Sequence, residues 1–175
     1  AALPLPYGKI TSSVWFTFGT IPIALLDAFI AAGRAGLPNE IAGGLIYSAQ
    51  RHTLRLAIYE AVRSTAHGIE YRMPPLARDE SLAVDLHTHG LLPAFWSATD
   101  NRDDRSVKVA GVFGNLDRGE PSAAFRLVLN GMYRPLAHPW EAAAKGVDAS
   151  AESPILDALG LTLSEQWIIT SNRSY

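Results

Sequence analysis

The sequence predicts a mixed α/β (α+β) fold: a β-sheet of mixed strand direction with a few helices. Three observations carry that reading. Apolar and polar residues alternate over residues 53–62 and again over 82–89, which is the period of a half-buried strand. Ile23, Leu26 and Ile30 recur at helical spacing behind Pro22. The elements then come in the order β-α-β-β twice over, in a chain of 175 residues, a length suited to one domain.

Taken in order, residues 14–18 (VWFTF) are β-branched and aromatic and read as a short first strand. Pro22 suits the first turn of a helix, where the N–H it lacks would have no partner anyway. Gly33, Gly36 and Pro38 end that helix. Residues 41–48 read as a strand in which Gly43 and Gly44 mark a bulge or a close backbone approach. Over residues 53–62, Leu54, Leu56 and Ile58 face one way, while Thr53, Arg55 and Tyr59 face the other. Residues 68–71 continue the sheet until Pro74 and Pro75 interrupt it. In residues 82–89, Leu82, Val84 and Leu86 share one face and Asp85, His87 and His89 the opposite one. A helix begins within residues 97–105, and residues 107–113 and 123–133 read as two more strands. The tail holds helical pieces at 140–144 and 155–159 and a strand-like run at 167–170.

Composition narrows the function classes. Hydrophobic residues make up 48% and charged residues 18%, enough apolar surface to bury a core and too much for a disordered chain. Lys and Arg number 15 against 17 acids, so no basic excess points to nucleic acid or to an anionic membrane. Cysteine is absent, which excludes disulfides, thiol catalysis and zinc ribbons; a transition metal would have to be held by His and carboxylate. No Gly-x-Gly occurs, so phosphate-loop chemistry is unsupported. Residues 1–9 show no secretory signal pattern, and the uncharged stretch 10–26 is broken by Ser, Thr, Gly and Pro and falls short of a membrane span. A soluble, cytoplasmic protein is expected.

One constellation stands above this background: His87-Thr88-His89, seven residues, Ser97, two residues, Asp100. Two His at i and i+2 on a strand project from the same face, so both imidazoles can reach one ion. Zinc accepts His nitrogen and carboxylate oxygen, and catalytic sites keep three protein ligands with one position open. Asp100, returned by the turn through Gly90 and Pro93, would be the third ligand. Ser97 and Asp100 also read as a capping box, Ser at the N-cap with an acid three residues on, which is compatible with ligation by Asp100. Asp103 and Asp104 are spare carboxylates expected to be solvated. His52, His67 and His138 read as ordinary surface residues, and Trp15, Trp96, Trp140 and Trp167 as core or interface.

The spacing H-x-H-x7-S-x2-D resembles the JAB/MPN family, the JAMM metalloproteases that remove ubiquitin or ubiquitin-like proteins. The family's upstream Glu is matched by Glu40 in the run Leu37-Pro38-Asn39-Glu40-Ile41-Ala42-Gly43-Gly44-Leu45. The match spans residues 21–133; among bacterial members the chain is most similar to protein A of PRTRC systems. The resemblance implies a single JAB/MPN-like domain over residues 1–175, a curved mixed sheet flanked by helices. Its motif-bearing core would be residues 14–133 and its C-terminal extension residues 134–175. It further implies Zn2+ held by His87, His89 and Asp100, with Glu40 as the acid/base and Ser97 as hydrogen-bond donor to the oxyanion. Glu60 is the rival for the acid/base role, and Asp85 would orient one imidazole. The implied partners are a ubiquitin-like protein or its conjugates and an E1-like protein of the same pathway. The family's Pro after the second His is Gly90 here, so the apolar loop 91–96 would cover the substrate tail, hinged at Gly90, with the tail paired near strand 82–89. Two other readings stand beside this one: a non-catalytic MPN-type scaffold, and a different metallohydrolase of the amidohydrolase or PHP type. The (β/α)8 barrel of the last needs ~250 residues.

Overall fold

The computed structural model describes residues 16–137. The readings for residues 14–15, 140–144, 155–159 and 167–170, and those for His138, Trp140 and Trp167, lie outside the described residues. In the described residues helix α1 (Ile23–Gly36) is followed by strands β1 (Ala42–Ser48), β2 (Thr53–Ile58), β3 (Glu60–Thr65), β4 (Gly68–Arg72) and β5 (Glu80–Thr88). Helix α2 (Ala98–Asp103) and strands β6 (Val107–Gly114), β7 (Ser122–Leu129) and β8 (Met132–Leu136) follow. Six strands form a curved sheet in the order β2-β1-β5-β6-β7-β8, and β3 and β4 make a separate hairpin. Within the large sheet only β5 and β6 run parallel; the other neighbours are antiparallel.

Each element follows from its local chemistry. In α1 the buried residues Leu26, Phe29, Ile30 and Gly33 sit at helical spacing and form one stripe against the sheet. Phe29, Phe113 of β6 and Phe125 of β7 then pack in sequence, with ring centroids 5.6 and 5.7 Å apart. Gly33 does not end α1 as its composition suggests. It lies inside the helix, where a Cβ would press on Leu116 and Thr88, and so lets α1 approach the end of β5. β1 is buried at every position and β2, at the sheet edge, at none. Alternation along β5 sends Val84, Leu86 and Thr88 toward α1, and Asp85 and His87 to the opposite face.

Three expectations about the strands are corrected. Residues 16–18 form a turn, closed by the Gly19 N–H on the Phe16 carbonyl, with the two Phe rings stacked at 5.0 Å. The run 53–62 is two strands broken at Tyr59, whose ring turns inward and is buried. It lies over Gly44, where any Cβ would collide with the Tyr59 hydroxyl, and it packs on Tyr71 at 5.0 Å. Past that break, residues 68–71 pair with β3 rather than continue the large sheet. The run 123–133 is a hairpin, not one strand: Asn130 and Gly131 take φ of 50° and 89°, the conformation a tight two-residue turn requires.

Gly114, at the end of β6, decides where the site loop lies. A Cβ there would sit 2.5 Å from the Ala94 nitrogen and the Pro93 carbonyl carbon, and closer still to the Leu92 oxygen. All three are backbone atoms, which cannot swing aside. G114A is expected to destabilise the fold by about 1–3 kcal/mol, the usual cost of overpacking. G119A, whose site has nothing within 4 Å, should change little. Denaturant unfolding of the two variants checks this; equal stabilities would show that the loop is not seated on β6.

Candidate metal centre

His87 and His89 stand at the end of β5 on the face away from α1. Thr88, between them, points the other way and fastens the neighbouring strand. Its hydroxyl accepts from the Ile41 N–H at 2.9 Å, and its N–H donates to the Ile41 carbonyl at 2.9 Å. Glu40, one residue earlier, is thereby held beside the two imidazoles. The Glu40 N–H donates to Thr65 at 2.9 Å, and Ser64 Oγ donates to the Glu40 carbonyl at 2.6 Å, so the β3–β4 hairpin grips the same residue. Glu60 faces outward on β3, exposed, and is not part of the cleft.

Asp100 arrives from the other side. Ser97 caps α2, its hydroxyl accepting from the Asp100 N–H at 3.1 Å while an Asp100 carboxylate oxygen accepts from the Ser97 N–H at 2.7 Å. The capping box and a ligand role coexist, because the second carboxylate oxygen is turned toward the imidazoles. His87 Nε2 lies 3.3 Å from His89 Nε2 and 3.3 Å from Asp100 Oδ1; His89 Nε2 lies 3.9 Å from Asp100 Oδ2. Donor atoms bound at ~2.0–2.1 Å around a tetrahedral zinc lie ~3.3–3.4 Å apart. Two of the three separations match that spacing and the His89–Asp100 one is longer, so the donor set fits such an ion, and this is the one group of three that could hold a metal among the described residues.

The electrostatics agree. Burial, opposed by Asp100, lowers the His87 pKa to about 4. Burial lowers His89 as well, against the pull of Asp100 and a contact with the Pro93 carbonyl. Both rings are neutral at pH 7 and offer lone pairs, as metal ligation demands. His89 Nδ1 is buried without a hydrogen bond of good geometry. Glu40 moves the opposite way: burial first, then the charge of Asp100, raise its carboxyl to about 7.

These groups share a cleft of about 460 Å³. Leu92, Phe95 and Trp96 wall it on one side; His67, Gly68, Ile69 and Tyr71 of the hairpin wall it on the other. Phe95 packs on His89 in a tilted arrangement at 4.4 Å and Trp96 meets His87 edge-on at 6.0 Å. The loop they belong to is tied down rather than hinged. The Leu116 N–H donates to the Gly90 carbonyl at 3.0 Å, Asn115 to Leu92 at 2.8 Å, and Ala94 to Ser122 Oγ at 2.8 Å. Gly90 itself takes φ +55°, which no proline can adopt, so the Gly-for-Pro departure is a backbone requirement of this loop.

A sequence profile of prokaryotic homologues of the JAB domain matches residues 22–128, more than half of the chain. The chain belongs to this family. Its fold resembles the solution structure of protein DSY2949 from Desulfitobacterium hafniense, with a TM-score of 0.52 at 15% identity. That alignment covers 67% of this chain and 88% of the other. No functionally curated protein matches. The JAB family includes metallopeptidases, and in this JAB domain the described residues contain no helix long and apolar enough to cross a membrane.

Three residues are placed differently from their sequence reading. Asp85 orients no imidazole; its carboxylate pairs with Lys108 at 2.5 Å. Asp103 is exposed as expected, but Asp104 is buried and pairs with Lys108 at 2.8 Å and Arg126 at 2.6 Å. His67 is exposed at the hairpin tip, yet lines the cleft. No local pattern marked it, since a turn residue meets the site only through the hairpin's fold.

Glu40 generates a test on the metal-free protein. Its folded pKa of about 7 stands above the ordinary 4.5, so between those values the folded state holds more protons than the unfolded one. Its contribution to stability is therefore fully present below pH 4.5 and is lost as pH rises through 7. Melting temperatures measured from pH 5 to pH 8 should fall more for the wild type than for E40Q; parallel curves would show that Glu40 is not buried in the carboxylic form.

Proposed function

We propose that the protein is a zinc-dependent JAMM-type peptidase or isopeptidase that cuts after the C-terminal tail of a ubiquitin-like protein. The observation that carries this reading is the convergence of His87, His89 and Asp100, with ligand atoms within 4.8 Å of one another, in the cleft that also holds Glu40. Zinc bound at those three ligands would supply Lewis acidity and an acidified water. Glu40, poised at about 7, takes a proton from water at neutral pH and returns it to the leaving amine. Ser97 uses its oxygen lone pair on the Asp100 N–H, which leaves its own hydrogen to donate to the developing oxyanion.

The substrate class rests on the family resemblance and the shape of the cleft. Both edges of β5 are occupied, by β1 and β6, so a tail cannot pair there. β4 has only β3 as a strand partner among the described residues, and its Gly68, Ile69 and Tyr71 line the cleft. An extended Gly-rich tail added along β4 would run past the metal site under Leu92 and Phe95. Assignment to a PRTRC-type system, with its E1-like and ubiquitin-like proteins, is part of the same proposal; neighbouring reading frames test it.

The purified protein should hold one zinc per chain by elemental analysis, and H87A or D100A should lose it while D103A keeps it. E40Q should retain zinc but lose about 10²–10⁴-fold in hydrolysis of a tail-linked ubiquitin-like substrate, the span of general acid/base catalysis. S97A should lose about 10²–10³-fold. Full zinc in both H87A and D100A would overturn the ligand assignment. Zinc with no hydrolysis of any tail fusion would leave the scaffold reading in its place.

A further inference from the structure

We propose that Arg126 is the positioning residue of this metal centre, one guanidinium that holds both Asp100 and His87 at ligand distance. The proposal rests on the metal reading above. Arg126 sits on β7 opposite Ala110 of β6, which in turn lies opposite Asp85 of β5. The row runs across the face that carries His87. Arg126 is 3% exposed among the apolar residues Ala123 to Leu129 of its strand, so its charge is kept there by specific partners.

Its contacts gather on residues 96–104, the segment that contains Asp100. Nη1 donates to Asn101 Oδ1 at 2.6 Å; Nη2 and Nε donate to Asp104 Oδ2 at 2.6 and 3.2 Å. Asn101 and Asp104 are the first and fourth residues after Asp100, and the Asp104 N–H donates to the Asp100 carbonyl at 3.0 Å. The guanidinium plane is sandwiched between the Trp96 and Tyr133 rings at 3.8 and 4.0 Å. Trp96 is the ring that meets His87 edge-on, and the Tyr133 hydroxyl donates to the Asn101 carbonyl. One side chain thus reaches one ligand through Trp96 and another through the C-terminal turn of α2.

That helix needs such a hold. It has six residues and buries none of them, so neither length nor apolar packing fixes it. The capping box shapes its first turn but does not attach it to the sheet. Besides Arg126, the sheet side chains bonded to it are Lys108, through the same Asp104 carboxylate, and Tyr133, through the Asn101 carbonyl. Lysine could not replace arginine here, because the arrangement uses both the fork and the two faces of a planar guanidinium.

The test compares the full chain with R126K, R126M and N101A. Zinc affinity is read by competition with a chromophoric chelator, coordination by the visible spectrum of the Co2+-loaded protein, and folding by melting without metal. The wild type should bind zinc and give the intense visible bands of four-coordinate cobalt. R126K and R126M should bind zinc about 10–100-fold more weakly, the usual loss when a residue orienting a ligand is removed, with weaker cobalt bands. N101A, which removes one contact and leaves the charge, should lose less in the same direction. If R126M fails to fold, R126K and N101A decide the matter. Wild-type affinity and cobalt spectrum in those two variants would overturn the proposal, as would an affinity loss that vanishes at temperatures where they are fully folded. A wild type that binds no zinc would overturn the metal reading and this proposal with it.

Discussion

Asp85, Lys108, Asp104 and Arg126 form a chain of alternating charge laid across the face of β5, β6 and β7, and the placement of the site depends on it. Each side chain is largely shielded from water, and each opposite charge lies within 2.5–2.8 Å of the next. An unpaired charge in such a place costs several kcal/mol, and deleting one partner of a buried pair costs about 3–5 kcal/mol. The four groups are therefore bound to stay together, and with them two strands of parallel direction, a third strand and a short helix. A chain of equal acids and bases adds little net stability over an apolar core of the same volume. What it supplies is a single register between α2 and the sheet.

The two faces of the sheet are built on different principles. The α1 face is apolar and interlocked by aromatic rings, and its approach to β5 is set by Gly33 against Thr88. The other face is polar, with a cleft bounded by a loop pinned to the ends of β6 and β7 and by the β3–β4 hairpin. Thr88 links them: its side chain sits on the apolar side and bonds the Ile41 N–H, while its neighbours present their imidazoles to the cleft. Walls on both sides hold Glu40, His87, His89 and Asp100 together in one cleft.

Much of the fold was legible because strand parity and helix spacing are local. Val84 and Leu86 against Asp85 and His87 specify which side of β5 meets the core, and the structure keeps that division. A bulge opposite Leu45 and Ile46, however, puts Ala83 in the core and turns Leu82 onto Gly44, on the side of Asp85. Where the reading failed, a distant contact had overridden the local pattern. Tyr59 follows the outward parity of Thr53 and Arg55, yet the space above Gly44 draws it inward and breaks the strand. Asn130-Gly131 was a legible turn signal inside the run 123–133 that the apolar pattern masked. Lys108 and Arg126, charged residues within VKVAGVF and AAFRLVL, were the visible trace of a buried ionic network, but a strand pattern does not say which acids they meet.

The sequence by itself determined the types and order of the candidate metal-holding residues and the face of β5 that carries the two imidazoles, because side-chain alternation along a strand is a property of three consecutive residues. It also determined that Ser97 and Asp100 would share a helix start, since a capping box closes within four residues. Only the tertiary structure decided that Asp100 comes within 3.3 Å of His87, that Glu40 is buried beside them, and that Asp104 is a buried anchor and not a solvated acid. Those facts depend on groups 22 to 47 positions apart, Arg126 on Asp104 and Thr88 on Ile41. Charge pairing and hydrogen bonding over such separations are set by how the strands are ordered in the sheet, which no local pattern encodes.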